Sequence, residues 1–273
     1  MPALEMISGY ATHPGAIFTA VTMSGSDSNS VRAFNQGTDK AFLMAQWGYT
    51  QVIGTARVRS PRMHDNVQGL RTQTQALSSD PQYWGTDFMQ QLYAQDTLIL
   101  ETAAPTDAAG NFEYEALLLY YTNVPGIAAQ LITPTQVQQK GMNVIGQYIP
   151  ITTAATGGYT GSVAINSSVD NFKANEWYAL VGGVVDTKCV AVRIQGADVG
   201  NVGVGFPGAM VTPSMTGRWF TELSNQYGLP LIPCFNSANK NAIFVSVAQD
   251  QGAAAVNVTL YLVEMGATIT PGQ

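Results

Sequence analysis

Few side chains in this 273-residue chain could do chemistry on a substrate. The two histidines, His13 and His64, stand in no HExxH or HxH spacing, so neither starts a metal site of those kinds. His64 falls in the polar run Arg62-Met63-His64-Asp65-Asn66, which reads as a turn, and His13 beside Pro14 and Gly15 reads as a mobile segment. No GxSxG elbow and no GxxxxGK[ST] phosphate loop is present. Met23-Ser24-Gly25-Ser26-Asp27-Ser28 reads as a polar turn, because no strand-to-helix switch surrounds it. The glycines from Gly196 to Gly208 lack a following lysine and lie in β-rich text, so a loop or bulged strand is expected there. Thr106 to Asn111 offers a single carboxylate and resembles a hairpin turn more than a calcium loop.

Two constellations remain. Glu113 and Glu115 are two apart on one strand and therefore share a face. Side-by-side carboxylates can form an acid/base pair, but the second half of the chain carries Val256 and Val258 at the matching positions, and the expectation is two solvent-facing strand residues. The second constellation is basic: Arg57, Arg59, Arg62 and Arg71. Arg57 and Arg59 share a strand face and could meet Glu101 or Glu113 across an assembly, or a phosphate. An ion pair between subunits is the reading adopted; an exposed face and contact with lipid or nucleic acid are the alternatives. Cys189 and Cys234 sit in apolar strand-like text and are expected as buried free thiols, with a disulfide as the alternative.

Composition narrows the function classes. Only 11% of residues are charged, with 12 Lys+Arg, 18 Asp+Glu and a net charge of −6, against about 25% in ordinary soluble domains. An acidic chain is a poor match for nucleic acid, and 46% apolar residues argue against disorder. The longest apolar run, Ala116 to Tyr121, is too short for a membrane helix. The N-terminus carries no signal-peptide pattern, so retention in a cytosol is expected. A surface so poor in charge is covered either by Gln, Asn, Ser, Thr and Gly or by other chains.

The elements that would position these residues are nearly all strands. Short β-rich runs, such as Ala41–Tyr49, Val52–Val58, Thr97–Thr102, Phe112–Thr122, Trp177–Val185 and Ala255–Glu264, are broken by turn residues. Two segments depart from this. Asp80-Pro81 followed by Trp84, Phe88 and Leu92 predicts a helix, and so does Thr216 followed by Trp219, Leu223 and Tyr227, with Gly228 to end it. Each leads into a strand, Leu98-Ile99-Leu100 in one case and Leu231-Ile232 in the other. The chain also repeats itself. Ser30–Phe34 resembles Ser168–Phe172, Ala41–Ala45 resembles Trp177–Val181, Val52–Val58 matches Lys188–Ile194 with Arg57 on Arg193, and Glu115–Tyr121 matches Val258–Glu264. The predicted helices match at an offset of 135. The expected organisation is a first half over 8–126, a linker over 127–144 with a short helix near Gln136–Lys140, and a second half over 145–266.

The predicted fold is all-β: two tandem eight-stranded jelly-roll β-sandwiches, each with one short helix before its last strands. In this duplication and strand count the chain resembles the double jelly-roll major capsid proteins of tailless icosahedral viruses of the adenovirus-like lineage, particularly the compact bacteriophage type. The resemblance covers about 8–266 and rests on architecture, not on a diagnostic motif. It implies a homotrimeric, pseudo-hexagonal capsomer that tiles an icosahedral shell. It further implies neighbouring capsomers and other virion proteins as partners, an internal membrane beneath the shell in many members, no cofactor and no catalysis. The location implied is the virion, after synthesis in the host cytoplasm. The loops here are shorter than the tower loops of larger relatives. The rival readings are another virion component, such as a decoration, vertex or spike-base protein, and a tandem β-sandwich that binds or cleaves glycans. On the capsid reading, the lateral walls of both halves form the charge-poor surface.

Overall fold

A computed structural model describes residues 2–12, 15–23, 30–32, 41–50, 54–62, 67–76, 82–83, 90–92, 97–104, 112–123, 129–152, 159–186, 189, 191–208, 216–248, 255–269 and 271. The first half contains β1 (Ala3–Thr12), β2 (Thr19–Ala20), β3 (Thr22–Met23), β4 (Ser30–Arg32), β5 (Ala41–Thr50) and β6 (Gly54–Arg59). It continues with β7 (Leu70–Ala76), β8 (Gln82–Tyr83), β9 (Gln90–Leu92), β10 (Thr97–Ala103) and β11 (Phe112–Tyr121). Then come β12 (Gln130–Ile132), α1 (Pro134–Lys140), β13 (Asn143–Thr152), β14 (Tyr159–Ala164), β15 (Trp177–Val185) and β16 (Ala191–Gly196). The chain ends with β17 (Gly200–Pro207), α2 (Trp219–Tyr227), β18 (Ile232–Asn236), β19 (Ile243–Ala248) and β20 (Ala255–Gly266).

The strand order is that of two jelly rolls. In the second half one sheet runs β13-β20-β15-β18 and the other β14-β19-β16-β17, which pairs the first strand with the eighth and the second with the seventh. The first half repeats this with β1-β11-β5-β9 and β4-β10-β6-β7. β12 adds a fifth strand beside β18, and a short parallel contact between β5 and β7 links the sheets of the first half. The fold is therefore all-β and tandem, as the strand count predicts.

The registers test the repeat. Arg57 stands opposite Arg71 as Arg193 stands opposite Gly205, so β6 and β7 correspond to β16 and β17. β11 corresponds to β20 along its length. Two expectations need correction. Ser30–Arg32 forms the second strand, whereas Ser168–Phe172 follows the second strand of its half, so that sequence match pairs unlike places. Leu98–Leu100 belongs to β10, the seventh strand, whereas Ile232 opens β18, the sixth.

The helices differ between halves. α2 carries Trp219 and Leu223 in the core and ends at Gly228 in the left-handed conformation at φ 65°, where a glycine pays no steric cost. Thr216 is buried but does not cap it; the N-cap residue is Arg218. In the first half, Leu92 is the last residue of strand β9, buried and paired with Ala41, and not part of a helix. Ala41 pairs with Tyr121 as Tyr178 pairs with Glu264, and Tyr178 pairs with Phe235, so Leu92 matches the buried Phe235 and not Tyr227. Trp84 and Phe88 lie outside the described residues. α1 starts two residues before the expected span, on a capping box in which Thr133 accepts from the Gln136 backbone and Gln136 from that of Thr133.

The core is continuous between the halves. Ala3, Ile7, Leu43, Leu117, Leu119 and Tyr121 face the interior of the first sandwich with Val58, Leu98 and Leu100. Their alternating neighbours Leu4, Met6, Trp47, Tyr114, Ala116 and Leu118 point the opposite way and are also buried, against the second half. Trp47 meets Trp219 edge-on, 5.8 Å between ring centroids. The Tyr227 hydroxyl donates to the Met44 carbonyl at 2.7 Å, and burial pushes its phenol up to about 12. Met6 lies over Gly205, where any side chain would collide with it. Trp219→Ala removes the aromatic that α2 inserts between the halves; a loss of about 3–5 kcal/mol is expected. A fall in the urea midpoint, together with increased binding of a hydrophobic dye, checks this.

Candidate functional site

The basic cluster lies on the outer face of the β4-β10-β6-β7 sheet. Alternation puts Ala56 and Val58 inside, so Arg57 and Arg59 point outwards from β6, and register places Glu101 on one flank of Arg57 and Arg71 on the other. Glu101 accepts from Arg57 Nε at 2.8 Å, from Arg59 Nε at 2.9 Å and from Arg59 Nη2 at 3.1 Å. Burial alone would raise the Glu101 carboxyl, but the hydrogen bonds from Arg59 and Arg57 outweigh it and hold the group below the usual carboxylate range. Arg57 also donates to the Val67 carbonyl at 3.2 Å, and its guanidinium lies 3.9 Å from the centroid of the Phe18 ring. Arg71 sits over the same ring at 5.2 Å and donates to the Gln68 carbonyl at 3.1 Å. Arg62 is exposed, beyond the end of β6, and its backbone N–H donates to Ser60 Oγ.

The fold thus brings Arg57, Arg59 and Arg71 together, and Glu101 pairs with Arg57 and Arg59 within one chain, where the sequence reading expected an ion pair between subunits. Beside them runs an open groove of about 620 Å³, lined by Ala16, Phe18, Gly54, Arg71, Gln73 and Ala103 among others. Phe18 was not among the sequence candidates. Its signal is only an aromatic in a Gly- and Thr-rich stretch, which says nothing of two arginines stacking on it. The repeat does carry part of this motif: Arg193, the counterpart of Arg57, lies 4.1 Å from the Tyr159 ring centroid.

Glu113 and Glu115 require a correction. Both are fully buried, not solvent-facing. They project from β11 into the first sandwich, on the same face as Leu117 and Leu119, while the opposite face of β11 is covered by the second half. Gly54 leaves the space that the Glu113 carboxylate occupies. Glu115 accepts from Gln46 Nε2 at 2.6 Å. Burial raises its carboxyl well above the ordinary value, and the Gln46 bond only partly opposes this. Neither group opens to solvent. In the second half Val256 and Val258 fill the same places with apolar bulk. Cys189 and Cys234 are buried free thiols, as their surroundings predict, and burial raises that of Cys234. His13, His64, the serine-rich turn over 24–28 and the run from Thr106 to Asn111 lie outside the described residues. The glycine-rich run forms a bulged hairpin between β16 and β17, with positive φ at Gly196, Gly200 and Gly203.

No protein-family model and no curated protein matches the sequence. Among solved structures, the chain is similar to the protein YhaK from Escherichia coli at 9% identity and a TM-score of 0.23, covering 95% of this chain and 86% of that one. It is similar to the major capsid protein P2 from bacteriophage PM2 at 8% identity and a TM-score of 0.23, covering 97% and 98%. A chain of Sulfolobus turreted icosahedral virus matches at 8% identity and a TM-score of 0.21, covering 96% and 91%. The strand order itself is that of two jelly rolls.

Glu101 and Glu115 titrate with opposite consequences. The lowered Glu101 carboxyl adds stability above its unfolded value, about 4.3, and that contribution is lost as pH falls through the folded one. The raised Glu115 carboxyl adds stability fully present below about pH 4.3, and it is lost as pH rises through its folded value. Glu101→Gln is therefore expected to destabilise at pH 7, by an amount that shrinks as pH falls below about 4.3. Glu115→Gln should match the parent near pH 4 and gain on it steadily towards pH 8. Urea midpoints across that range check both slopes.

Proposed function

We propose that this chain is a non-catalytic structural protein of a virion: a major capsid protein whose trimers form pseudo-hexagonal blocks that tile an icosahedral shell. The observation that carries this reading is the pair of jelly rolls with one strand order, held side by side by packed sheet and helix instead of a flexible tether. A shell subunit must be a rigid block with several matched side faces, and two like sandwiches locked together make one. The composition supports it, since 11% charge leaves wide polar and apolar walls suited to association. So does the exposed apolar face of the second half, where Val144 is 71% and Met142 54% exposed. On this reading the partners are further copies of the chain, neighbouring capsomers and other virion proteins, with a membrane under the shell as an option that the capsid role accommodates.

The test is the mass in solution followed by electron microscopy. A stable species of three times 29.1 kDa that forms hexagonal arrays is the expected outcome. A chain that remains monomeric at all concentrations and binds a sugar specifically would sink the proposal.

A further inference from the structure

The paired strands β1 and β11 correspond in register to β13 and β20, and β6 and β7 to β16 and β17, and the correspondence exposes an unmatched pair of faces. β1 pairs with β11 as β13 pairs with β20, so Leu4, Met6 and Ser8 correspond to Val144, Gly146 and Tyr148. All six positions face away from their own sandwich core. In the first half the second half covers them: Leu4 is 0%, Met6 3% and Ser8 2% exposed. In the second half Val144 is 71% and Tyr148 46% exposed, and Gly146 is exposed as well.

The covering surface shows the same asymmetry. Met6 lies over Gly205 on β17. The counterpart of Gly205 is Arg71 on β7, which is exposed. Inside the chain, a large side chain on the first strand therefore meets a glycine on the fifth. The two remaining counterparts have the sizes exchanged, a glycine on the first strand and an arginine on the fifth.

We propose that the outer face of β13 in one copy docks on the outer face of β7 in a second copy, with Arg71 seated over Gly146. The contact repeats, between chains, the one that joins the two halves within a chain. It rests on the shell-subunit reading above and names the surfaces that reading requires. The docking face carries Met142, Val144 and Tyr148. The receiving face carries Ile17, 70% exposed, and Val67, 74% exposed, beside the Phe18 ring on which Arg57 and Arg71 stack. Charge agrees: the receiving face holds Arg57 and Arg59 paired with Glu101 and Arg71 stacked beside them on Phe18, and the docking face holds the exposed Asp186, joined through Asn257 to the Tyr148 hydroxyl. The contact is heterologous, so each copy gives one face and receives on the other, and the assembly closes as a ring if the rotation allows.

The decisive experiment places one cysteine on each face of the full chain. Gly146→Cys is sterically permitted, since the added Cβ meets nothing nearer than Thr259 Cγ2 at 3.4 Å, and Arg71→Cys replaces an exposed side chain. The native thiols are buried and do not compete. With a short bis-maleimide linker, a mixture of the two single variants is expected to give a covalent dimer at least tenfold more abundant than either variant alone. Val144→Asp should weaken self-association at least tenfold without changing the melting of the subunit. Efficient cross-linking of Gly146→Cys to itself would mean a two-fold face-to-face contact and would overturn the proposal. Absence of cross-linking in a mixture that still assembles would overturn this docking while leaving the shell reading intact. A strictly monomeric chain would remove both.

Discussion

The sheet formed by β1, β11 and β5 is covered on both faces, and the placement of everything else depends on that double burial. One face closes the first sandwich over Ile7, Leu117 and Leu119; the other receives the second half through Leu4, Trp47 and Leu118. Burying each such side chain is worth roughly 1.5–3 kcal/mol. The halves are therefore bound by the same force that folds them, and the boundary between them is core, not surface. The continuous apolar run from Ala116 to Tyr121 is the signature: a strand buried on both sides loses the alternation that a half-exposed strand keeps.

That constraint also explains what was legible in the sequence. Strands with strong apolar text, such as Phe112–Tyr121 and Trp177–Val185, were readable to within a residue or so. The stripe of Trp219, Leu223 and Tyr227 specified α2, because a helix that wedges between two bodies needs one apolar face. β1 and β13 were not read as strands, although each opens its jelly roll. β13 alternates buried Gln147, Ile149 and Ile151 with exposed Tyr148 and Pro150, and a glycine, a glutamine and a proline dilute the pattern. The first-half helix failed as a prediction at Leu92, where the spacing of a helix stripe and the needs of a strand paired with Ala41 coincide on one leucine.

The site was half legible. Like-facing Arg57 and Arg59 with Glu101 follow from period-two geometry once β6 and β10 are paired. The stacking of two guanidiniums on Phe18 does not, because sequence gives no register between a short N-terminal segment and β7. The carboxylates at Glu113 and Glu115 misled for a related reason: charged residues on a strand ordinarily mark its wet face, and here that strand has none. Gln46 and the space left by Gly54 accommodate them.

The double burial has a consequence for synthesis. The outer face of the β1-β11-β5 sheet is complete once residue 121 has been made, but α2, whose Trp219 and Tyr227 meet Trp47 and Met44 of β5, ends at residue 227. At about 5–20 residues per second, a ribosome needs roughly 5–20 s to make the intervening chain. Through that interval Trp47 and Met44 lack the cover that α2 supplies. A nascent first half is thus an adhesive body whose clock is set by translation, and crowded polysomes making this chain bring such bodies close together before any finished subunit exists.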